Sequence, residues 1–525
     1  MSIKLAQKQS LAITELLVAK IRSRDDLMAV KRRLAKKYDL PLIKNSEIIR
    51  LLSEESDDFF NLQKILRKRS VRTLSGVAPV AALTKPWPCP GRCAYCPTEK
   101  DVPQSYLSNE PAVMRAIREG YDPYGQVQSR LRALEINGHR PEKIELIVIG
   151  GTWSTLPDKY KYWYIANCFA AANNFKKQET RNKKQTNPNL SLLKLKEELL
   201  REQKRNEKAK YKIIGVTLET RPDYINEQEL WQMRELGCTR VELGVQAIDD
   251  KILEKNQRGH GVKAIVEATK LLKDFGFKVT YHIMPGLPGA TPSKDLKMFR
   301  QLFSDERFQP DQLKFYPTVV TRGSQLYRWW RDGKYKPYTA KQLENLIIAC
   351  KKIVPPYVRI IRLIRDIPGE SIIAGNLVTN LRQVLAQRGV KCNCIRCREV
   401  KGGKVSGFRL QVTEYKASGG REFFIEATDK TKKILYGFCR LRLAKDDLWD
   451  AALIRELHVY GELVPTGKNK VVQHAGLGRQ LMAKAESIAR ENGFGKIAVI
   501  AGVGARGYYR KLGYKLKENY MVKNF

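Results

Sequence analysis

The chain has 525 residues, enough for about three or four domains at roughly 150 residues each. It carries 96 Lys and Arg residues against 55 Asp and Glu, a formal net charge of +41. This excess predicts a polyanionic partner, and the hydrophobic fraction of 43% excludes a wholly disordered chain. No apolar run reaches the ~18 residues of a membrane span, and the N-terminal stretch lacks the apolar core of a signal peptide. We therefore expect a cytoplasmic protein.

Residues 1–75 have helical periodicity and contain basic runs, among them Lys31–Arg33 and Arg67–Arg69. Charge runs are commonly solvated helix faces, but the overall positive charge favours contacts with phosphates. We expect this part of the chain to be a helical segment that binds nucleic acid.

Residues 76–370 alternate short apolar runs with helical stretches such as Lys263–Phe275. The repeated β-α pattern predicts an α/β fold, a partial or full TIM-like barrel with its active site at the carboxyl ends of the strands. A polar stretch at about 173–212 interrupts the pattern and predicts an exposed, charged insertion, in which Leu192–Lys212 could form a charged helix. Six runs rich in Val, Ile and Leu predict the buried parallel strands: Val80–Leu83, Ile144–Ile149, Ile213–Leu218, Val241–Val245, Val279–Ile283 and Leu313–Phe315.

Residues 371–400 form a connector, and residues 401–525 predict a separate α+β domain. Its predicted elements are strands at Val405–Tyr415, Phe423–Ala427 and Leu435–Leu443, a helix at Gly476–Glu491 and a strand at Ile497–Ile500.

A triplet of cysteines follows the first predicted strand of the barrel. Cys89, Cys93 and Cys96 have the spacing C-x3-C-x2-C, with the aromatic Tyr95 before the last cysteine. Three thiolates can hold three irons of a [4Fe–4S] cluster and leave the fourth iron open to substrate. The pattern is typical of radical S-adenosylmethionine enzymes, whereas a structural zinc site, the alternative, normally has four protein ligands.

Residues after other strand ends fit the same site. Gly150 and Gly151 end a strand where the backbone can approach the methionine end of S-adenosylmethionine. Glu219 ends the next strand, Arg221 is suited to grip the methionine carboxylate, and Gln246 to contact the ribose. We expect these five residues to bind S-adenosylmethionine.

A second site lies in the C-terminal domain, where Gln473 to Gly478 fits the Q/R-x-x-G-x-G pattern of GNAT acyltransferases. Glycines at a helix start let backbone N–H groups close on a pyrophosphate. The strand ending at Glu456–Val459 is placed to hold the thioester carbonyl. A tyrosine phenol is suited to protonate the leaving CoA thiolate. The alternative is that the tyrosines only pack in the core. The candidate acetyl-CoA residues are Glu456, Leu457, His458, Val459, Gln473, His474, Gly476, Leu477, Gly478, Tyr508 and Tyr509.

With both sites in one chain, the sequence resembles the family of the catalytic subunit of Elongator, in its prokaryotic form with a short first cysteine interval. The resemblance covers nearly the whole chain. Its motifs here include Thr84–Gly91, Lys143–Thr152, Glu219–Asp223, Arg258–His260, Arg365–Pro368, Arg455–Gly461 and Gly507–Tyr514.

The resemblance implies an enzyme that converts the wobble uridine 34 of tRNA to carboxymethyluridine, using acetyl-CoA and S-adenosylmethionine. It implies that a 5′-deoxyadenosyl radical abstracts hydrogen from the acetyl methyl group and that the carbon radical adds to uridine C5. It also implies that Lys143 contacts acetyl-CoA from the barrel and acts in catalysis with Tyr508 and Tyr509. The implied partners are the tRNA anticodon stem-loop and an electron donor.

The connector holds a second triplet, Cys392, Cys394 and Cys397, with the spacing C-x-C-x2-C. This spacing suits Zn²⁺ with a fourth ligand from elsewhere, and Cys350 is one candidate. Free thiols are the alternative. If zinc binds, we expect it to clamp the connector.

Two other functions stay open at this point: a protein lysine acetyltransferase with a merely structural cluster, and a non-catalytic tRNA-binding scaffold. Hydrolysis of acetyl-CoA stimulated by tRNA favours the tRNA enzyme over the first. An effect of Cys89→Ala on wobble modification excludes the second.

Overall fold

A computed structural model of the chain describes residues 3–51, 62, 65–67, 76–176, 186–378, 380–400, 407–444, 450–461 and 476–525. Two seven-stranded sheets form most of the molecule, preceded by a group of short helices. No helix among the described residues has the length and apolar character of a membrane span.

The N-terminal segment is helical over its described residues, as predicted: the helices are Ile3–Val18, Arg24–Tyr38 and Asn45–Leu51. They share a small apolar core that includes Leu16, Leu34 and Ile48. The predicted basic surface is only partly available, because Lys31 is buried beside Asn45. Most of the second basic run, after Arg67, lies outside the described residues.

The first large sheet is an open, all-parallel half-barrel with the strand order β1-β2-β3-β4-β5-β6-β8. All six predicted strands are confirmed, whereas β8 was missed because a four-residue strand with arginine at both ends has no apolar run. Strands β7 and β9 form a small antiparallel pair outside this sheet. The strands are β1 Ala78–Leu83, β2 Lys143–Ile149, β3 Lys212–Thr220, β4 Cys238–Gln246, β5 Lys278–Ile283, β6 Gln312–Phe315, β7 Val320–Thr321, β8 Arg359–Arg362 and β9 Ile372–Ala374.

Helices cover the outer face of the half-barrel, and this decides which side chains face inward. Along β2, Ile144, Leu146 and Val148 are buried, while the alternate residues are less buried and line the inside of the curve. The helices are Pro111–Arg118, Pro123–Ile136, Asp158–Asn173, Leu192–Asn206, Glu227–Glu235, Asp250–Lys255, Val262–Asp274, Pro292–Ser304, Gln325–Arg331 and Ala340–Ile353.

The insertion at about 173–212 is only partly exposed, and it contains the charged helix that the sequence allowed. Helix Leu192–Asn206 packs against helix Asp158–Asn173 and buries Leu195 and Leu199. The Asn206 side chain accepts a hydrogen bond from the Ile213 backbone N–H at 2.7 Å, so the helix is tied to β3. The many charged residues concealed an apolar stripe at i, i+4 spacing. Residues 177–185 lie outside the described residues.

The C-terminal sheet has the order β10-β11-β12-β13-β14-β16-β15 and confirms the predicted α+β domain. All of its neighbouring pairs are antiparallel except β13–β14, and helix Leu477–Glu491 packs on it. The parallel pairing ends at Ile454 opposite Val499, so that β13 and β14 diverge from there on. The strands are β10 Arg409–Ala417, β11 Gly420–Thr428, β12 Leu435–Leu443, β13 Ala452–Val459, β14 Lys496–Val499, β15 Lys515–Lys517 and β16 Tyr520–Asn524, and helix Arg506–Arg510 precedes β15.

A buried ionic cluster joins the C-terminal sheet to the half-barrel. Arg455 of β13 contacts both carboxylate oxygens of Glu422 at 2.9 Å and donates to Asp311, just before β6, with one contact at 3.1 Å. Lys273 lies 3.8 Å from Asp311 and 3.6 Å from Glu422. None of these four side chains is exposed, so the cluster fixes the C-terminal sheet against the barrel.

The connector contributes helices Leu381–Gln387 and Ile395–Arg398 beside β8. The Ile395 N–H donates to the carbonyl of Val358 at 2.9 Å, and the Arg396 guanidinium donates to the carbonyl of Ile361 at 2.9 Å. These contacts place the second cysteine triplet at the edge of the half-barrel.

Candidate active site

Two cavities lie at opposite ends of the half-barrel. The cavity we call basal, of about 1260 Å³, lies between the strand starts, among them Lys143, and the C-terminal domain. The cavity we call the cysteine cavity, of about 750 Å³, lies at the carboxyl ends of the strands, at Ile149 and beyond. The barrel pattern predicted the cysteine cavity, whereas a cavity at the strand starts was not foreseen.

The first cysteine triplet lines the cysteine cavity, in the loop that follows β1. The Arg258 guanidinium donates to the Cys93 sulfur at 3.3 Å. A hydrogen bond shared by the two thiols lowers the pKa of Cys93 and raises that of Cys96. Burial raises both pKa values, and the Arg258 guanidinium lowers both. Because thiolates are the ligands of iron, this environment suits cluster ligation. The sequence flagged Arg258 only as part of a motif, without this role.

Four of the five residues predicted to bind S-adenosylmethionine line the same cavity: Gly151, Glu219, Arg221 and Gln246. The fifth, Gly150, shapes the turn instead. Its φ is +134°, and a Cβ atom there would clash with Thr84.

Arg221 and Gln246 present buried polar atoms that a ligand could satisfy. Arg221 donates from Nε and Nη2 to Asp223 at 3.0 and 2.8 Å, while its buried Nη1 has no partner among the described residues. Oε1 of Gln246 is likewise buried without a partner among the described residues. The backbone φ of Gln246 is +68°, which is rare for a residue with a side chain. A Cβ atom at Gly91 would clash with the Arg221 guanidinium, so the cysteine loop approaches it closely. The donors and acceptor therefore fit a zwitterionic nucleotide ligand beside the cysteines.

A polar network inside the same cavity was not predicted. Glu242 contacts His282 Nε2 at 2.9 Å and also pairs with Lys314. Burial raises the pKa of Glu242, but Lys314 and, to a smaller extent, His282 hold this pKa well below its usual value. Tyr106 donates to Glu219 at 3.1 Å. The sequence signal for this network is the presence of polar residues inside otherwise apolar strands.

The basal cavity is lined by the predicted acetyl-CoA strand segment Glu456–Val459, which lies beyond the point where β13 and β14 diverge, and by Gly476 and Gly478. Gly476 precedes helix Leu477–Glu491 with a φ of +72°. A Cβ atom at Gly478 would lie 2.7 Å from the Tyr508 hydroxyl. Backbone N–H groups at this helix start are suited to an anionic ligand.

Two other predicted acetyl-CoA residues, Gln473 and His474, lie outside the described residues. The side chain of Leu477 is buried in the core of the C-terminal domain, so only its backbone can serve the site.

Lys143, Tyr508 and Tyr509 line the basal cavity together, although more than 350 residues separate the lysine from the tyrosines. Burial lowers the pKa of Lys143, and the neighbouring Lys212 adds to this. Tyr508 is 38% exposed and Tyr509 only 7%, with ring centroids 5.3 Å apart. Burial raises the pKa of both phenols, which keeps them protonated as potential acids.

The second triplet is compact, since the sulfur atoms of Cys392, Cys394 and Cys397 lie within 4.8 Å of one another. Tetrahedral Zn²⁺ with bonds of about 2.3 Å separates its sulfur ligands by about 3.8 Å, so this group has the size of a metal site. Within the part of the chain that the structure describes, no fourth His, Cys, Asp or Glu completes the group. The expectation that Cys350 could do so is wrong, because it packs in an apolar cluster with Phe299.

Comparisons with known proteins agree with this division into two sites. Residues 89–302 match the Radical SAM superfamily, residues 310–389 the Radical_SAM C-terminal domain, and residues 407–514 the Acetyltransferase (GNAT) family. A radical SAM domain implies a [4Fe–4S] cluster and S-adenosylmethionine, and a GNAT domain implies acetyl-CoA.

Several relatives match over nearly their full length. A protein of Dehalococcoides mccartyi named tRNA uridine(34) acetyltransferase is 44% identical over 87% of this chain and 99% of its own. Human Elongator complex protein 3 is 38% identical over 97% of this chain and 95% of its own. The solved archaeal Methanocaldococcus infernus Elp3, with an N-terminus deletion, has 38% identity and a TM-score of 0.72, and covers 86% of this chain and 100% of its own. The chain is therefore an enzyme that joins a radical SAM domain to a GNAT acetyltransferase domain, and it belongs to the family of the tRNA uridine(34) acetyltransferases and Elongator complex protein 3.

Proposed function

We propose that this enzyme modifies C5 of the wobble uridine 34 in tRNA, using acetyl-CoA and S-adenosylmethionine to form carboxymethyluridine. The observation that carries the proposal is the placement of the two cavities. The cysteine triplet lines one cavity, the acetyltransferase strand Glu456–Val459 lines the other, and Ile147 and Arg240 line both, so one substrate can meet both chemistries. Relatives named for acetylation of tRNA uridine 34 support the choice of substrate.

In the cysteine cavity, Cys89, Cys93 and Cys96 hold the [4Fe–4S] cluster, and Arg258 keeps the Cys93 sulfur anionic. Arg221 receives the methionine carboxylate on its buried Nη1. Gln246 accepts a hydrogen bond from the ribose, and Glu219 lies beside the ligand. The turn at Gly150–Gly151 lets the protein backbone contact the ligand. When bound, the cluster and S-adenosylmethionine supply a carbon radical that abstracts a hydrogen atom.

In the basal cavity, backbone N–H groups from Gly476 to Gly478 bind the pyrophosphate of acetyl-CoA, with Gln473 and His474 preceding them in the sequence. The backbone of Glu456–Val459 holds the thioester. Lys143 contacts acetyl-CoA from the barrel side, where burial and the neighbouring Lys212 lower the pKa of its ammonium. The phenol of Tyr508 or Tyr509 gives its proton to the leaving CoA sulfur.

Zn²⁺ is the proposed occupant of the connector triplet. Cys392, Cys394 and Cys397 supply three thiolates at the spacing of one tetrahedral ion, with a solvent molecule or a residue outside the described part as the fourth ligand. The ion would clamp helix Ile395–Arg398 against β8.

The tRNA anticodon stem-loop is the proposed macromolecular partner, which accounts for the net charge of +41. Exposed basic residues of the N-terminal helices, such as Arg32 and Arg33, add to its binding surface. A cytoplasmic electron donor supplies the reducing equivalent. The salt dependence of tRNA binding should be steep for such an interface.

The test is mass spectrometry of tRNA nucleosides after anaerobic reaction of the reconstituted enzyme with reductant, both cosubstrates and tRNA. We expect carboxymethyluridine at position 34 and none with Cys89→Ala. The matched control is Cys238→Ala, which changes a buried cysteine that lines neither cavity. Full modification by Cys89→Ala would exclude the proposed chemistry. Acetylation of a protein lysine in the absence of RNA would instead favour a protein acetyltransferase.

A further inference from the structure

The basal and cysteine cavities share the same wall residues at one level of the half-barrel. Both are lined by Pro79, Ile147, Arg240, Ile361 and Arg396, which we call the shared ring. The first four come from β1, β2, β4 and β8, and the fifth from the connector helix Ile395–Arg398. The two cavities therefore adjoin at this level, and we call the two together the bore.

The order of residues along β2 agrees with this placement. On β2, Lys143 and Glu145 line only the basal cavity, Ile147 lines both, and Ile149 lines only the cysteine cavity. These are alternate residues of one strand, so they face the same side at successive levels. At about 3.3 Å per residue, Lys143 and Ile149 are about 20 Å apart, with the ring about 13 Å from Lys143. A two-carbon unit bound at the strand starts therefore lies far from the cysteines.

The two arginines of the ring differ in how they are paired. Arg240 is largely engaged: it donates to Thr217 at 2.8 Å, and its Nη2 lies 3.3 Å from Glu145. Arg396 donates a hydrogen bond from Nη1 to the Ile361 carbonyl. Among the described residues, no carboxylate lies within 4.0 Å of its guanidinium. It lines both cavities, so this cation, with donors beyond the one bond to Ile361, borders the bore where they meet.

We propose that the shared ring is the binding site for the two-carbon acyl unit between the two cavities, with the Arg396 guanidinium donating to the acyl oxygen. Pro79, Ile147 and Ile361 contact the methyl group, which the cysteine-cavity side can then reach. The inference rests on the proposed function, since that function requires the acyl carbon to meet the radical site. It also gives the connector a role: the helix that follows Cys394 and contains Cys397 holds Arg396 at the bore.

The acyl unit can come from two sources, the thioester of acetyl-CoA or acetate released from it. The first experiment compares the affinities of acetyl-CoA and CoA by calorimetry for the wild type, Arg396→Gln and Arg396→Lys. Arg388→Gln is the matched control, because this arginine of the same connector is exposed and pairs with Glu344. A charge-assisted hydrogen bond to the acyl oxygen predicts that Arg396→Gln lowers the preference for acetyl-CoA over CoA by about tenfold. Affinities for CoA and S-adenosylmethionine should match the wild type.

The second experiment measures modified uridine with ¹³C-labelled acetyl-CoA, or with labelled acetate plus CoA. We expect Arg396→Gln and Ile147→Phe, which fills the ring, each to lower the yield at least tenfold, and Arg396→Lys to restore part of it. A changed acetyl-CoA preference identifies the thioester as the bound source. An unchanged preference, with label entering from acetate, identifies acetate.

Two results would overturn the proposal. One is a yield within twofold of the wild type for both Arg396→Gln and Ile147→Phe. The other is a parallel loss of affinity for CoA and S-adenosylmethionine in both variants, which would indicate a structural role. If the wild type forms no modified uridine while the acetyl-CoA preference still depends on Arg396, the proposed function fails and the acyl site stands.

Discussion

Replacing Arg455 with methionine tests how the two domains are held in register. Arg455 is fully buried and binds Glu422 and Asp311, one from each domain, and donates to the Phe277 carbonyl at 2.7 Å. Methionine fills similar space but leaves both carboxylates without their principal cation. Removing one partner of a buried ion pair costs about 3–5 kcal/mol. Arg442 and Lys273, still 3.3 and 3.6 Å from Glu422, favour the lower end. We expect Arg455→Met to lower the free energy of unfolding by about 3 kcal/mol.

Urea unfolding followed by tryptophan fluorescence measures this change. The control is Arg421→Met, since that half-exposed arginine pairs with Glu414 on the surface and should contribute less than about 1 kcal/mol. A loss below about 1 kcal/mol for Arg455→Met would refute the reasoning.

The pH dependence has a definite sign. In the folded wild type, cations hold the pKa of Asp311 and Glu422 below their usual values, a stabilisation present above about pH 4 and lost as the pH falls. In Arg455→Met these pKa values rise, because the largest of the contributions that lower them is lost while Lys273, Arg440 and Arg442 remain nearby. The destabilisation by Arg455→Met should therefore be largest above about pH 5 and shrink as the pH falls below about 4.

Three further substitutions address the ligand sites. Gly478→Val places a side chain against the Tyr508 hydroxyl. Calorimetry should show that it reduces the affinity for acetyl-CoA at least tenfold and leaves the affinity for S-adenosylmethionine unchanged. An acetyl-CoA affinity equal to that of the wild type would contradict the assignment of this helix start as the pyrophosphate site. Arg221→Gln should lower S-adenosylmethionine affinity about tenfold and leave acetyl-CoA binding intact, whereas unchanged affinity would remove Arg221 from that site. Cys394→Ser should abolish bound zinc in elemental analysis but retain iron; zinc retained at full occupancy would place the ion elsewhere.

The sequence was sufficient for the parts of the fold that follow local periodicity. The apolar runs of β1 to β6 are unambiguous, and the cysteine spacing at Cys89–Cys96 identified the radical SAM site without any structure. The Q-x-x-G-x-G pattern likewise predicted a helix start at Gly476.

Long-range pairing explains what sequence reasoning missed. Arg258 reaches Cys93 across 165 residues, and nothing local marks it as the cation beside that thiol. The packing of helix Leu192–Asn206 was not predicted, because its charged residues outnumber the few leucines that pack. The basal cavity depends on the buried pairing of Arg455 with Asp311, which fixes where the C-terminal domain meets the strand starts.

The measurement that tests the central claim most directly follows the acetyl hydrogens. The reconstituted enzyme is reacted anaerobically with tRNA, S-adenosylmethionine and acetyl-CoA deuterated on the methyl group, and the 5′-deoxyadenosine formed is examined by mass spectrometry. If the two cavities serve one reaction, deuterium appears in 5′-deoxyadenosine in step with modified uridine 34. Modified uridine accompanied by unlabelled 5′-deoxyadenosine would contradict the account.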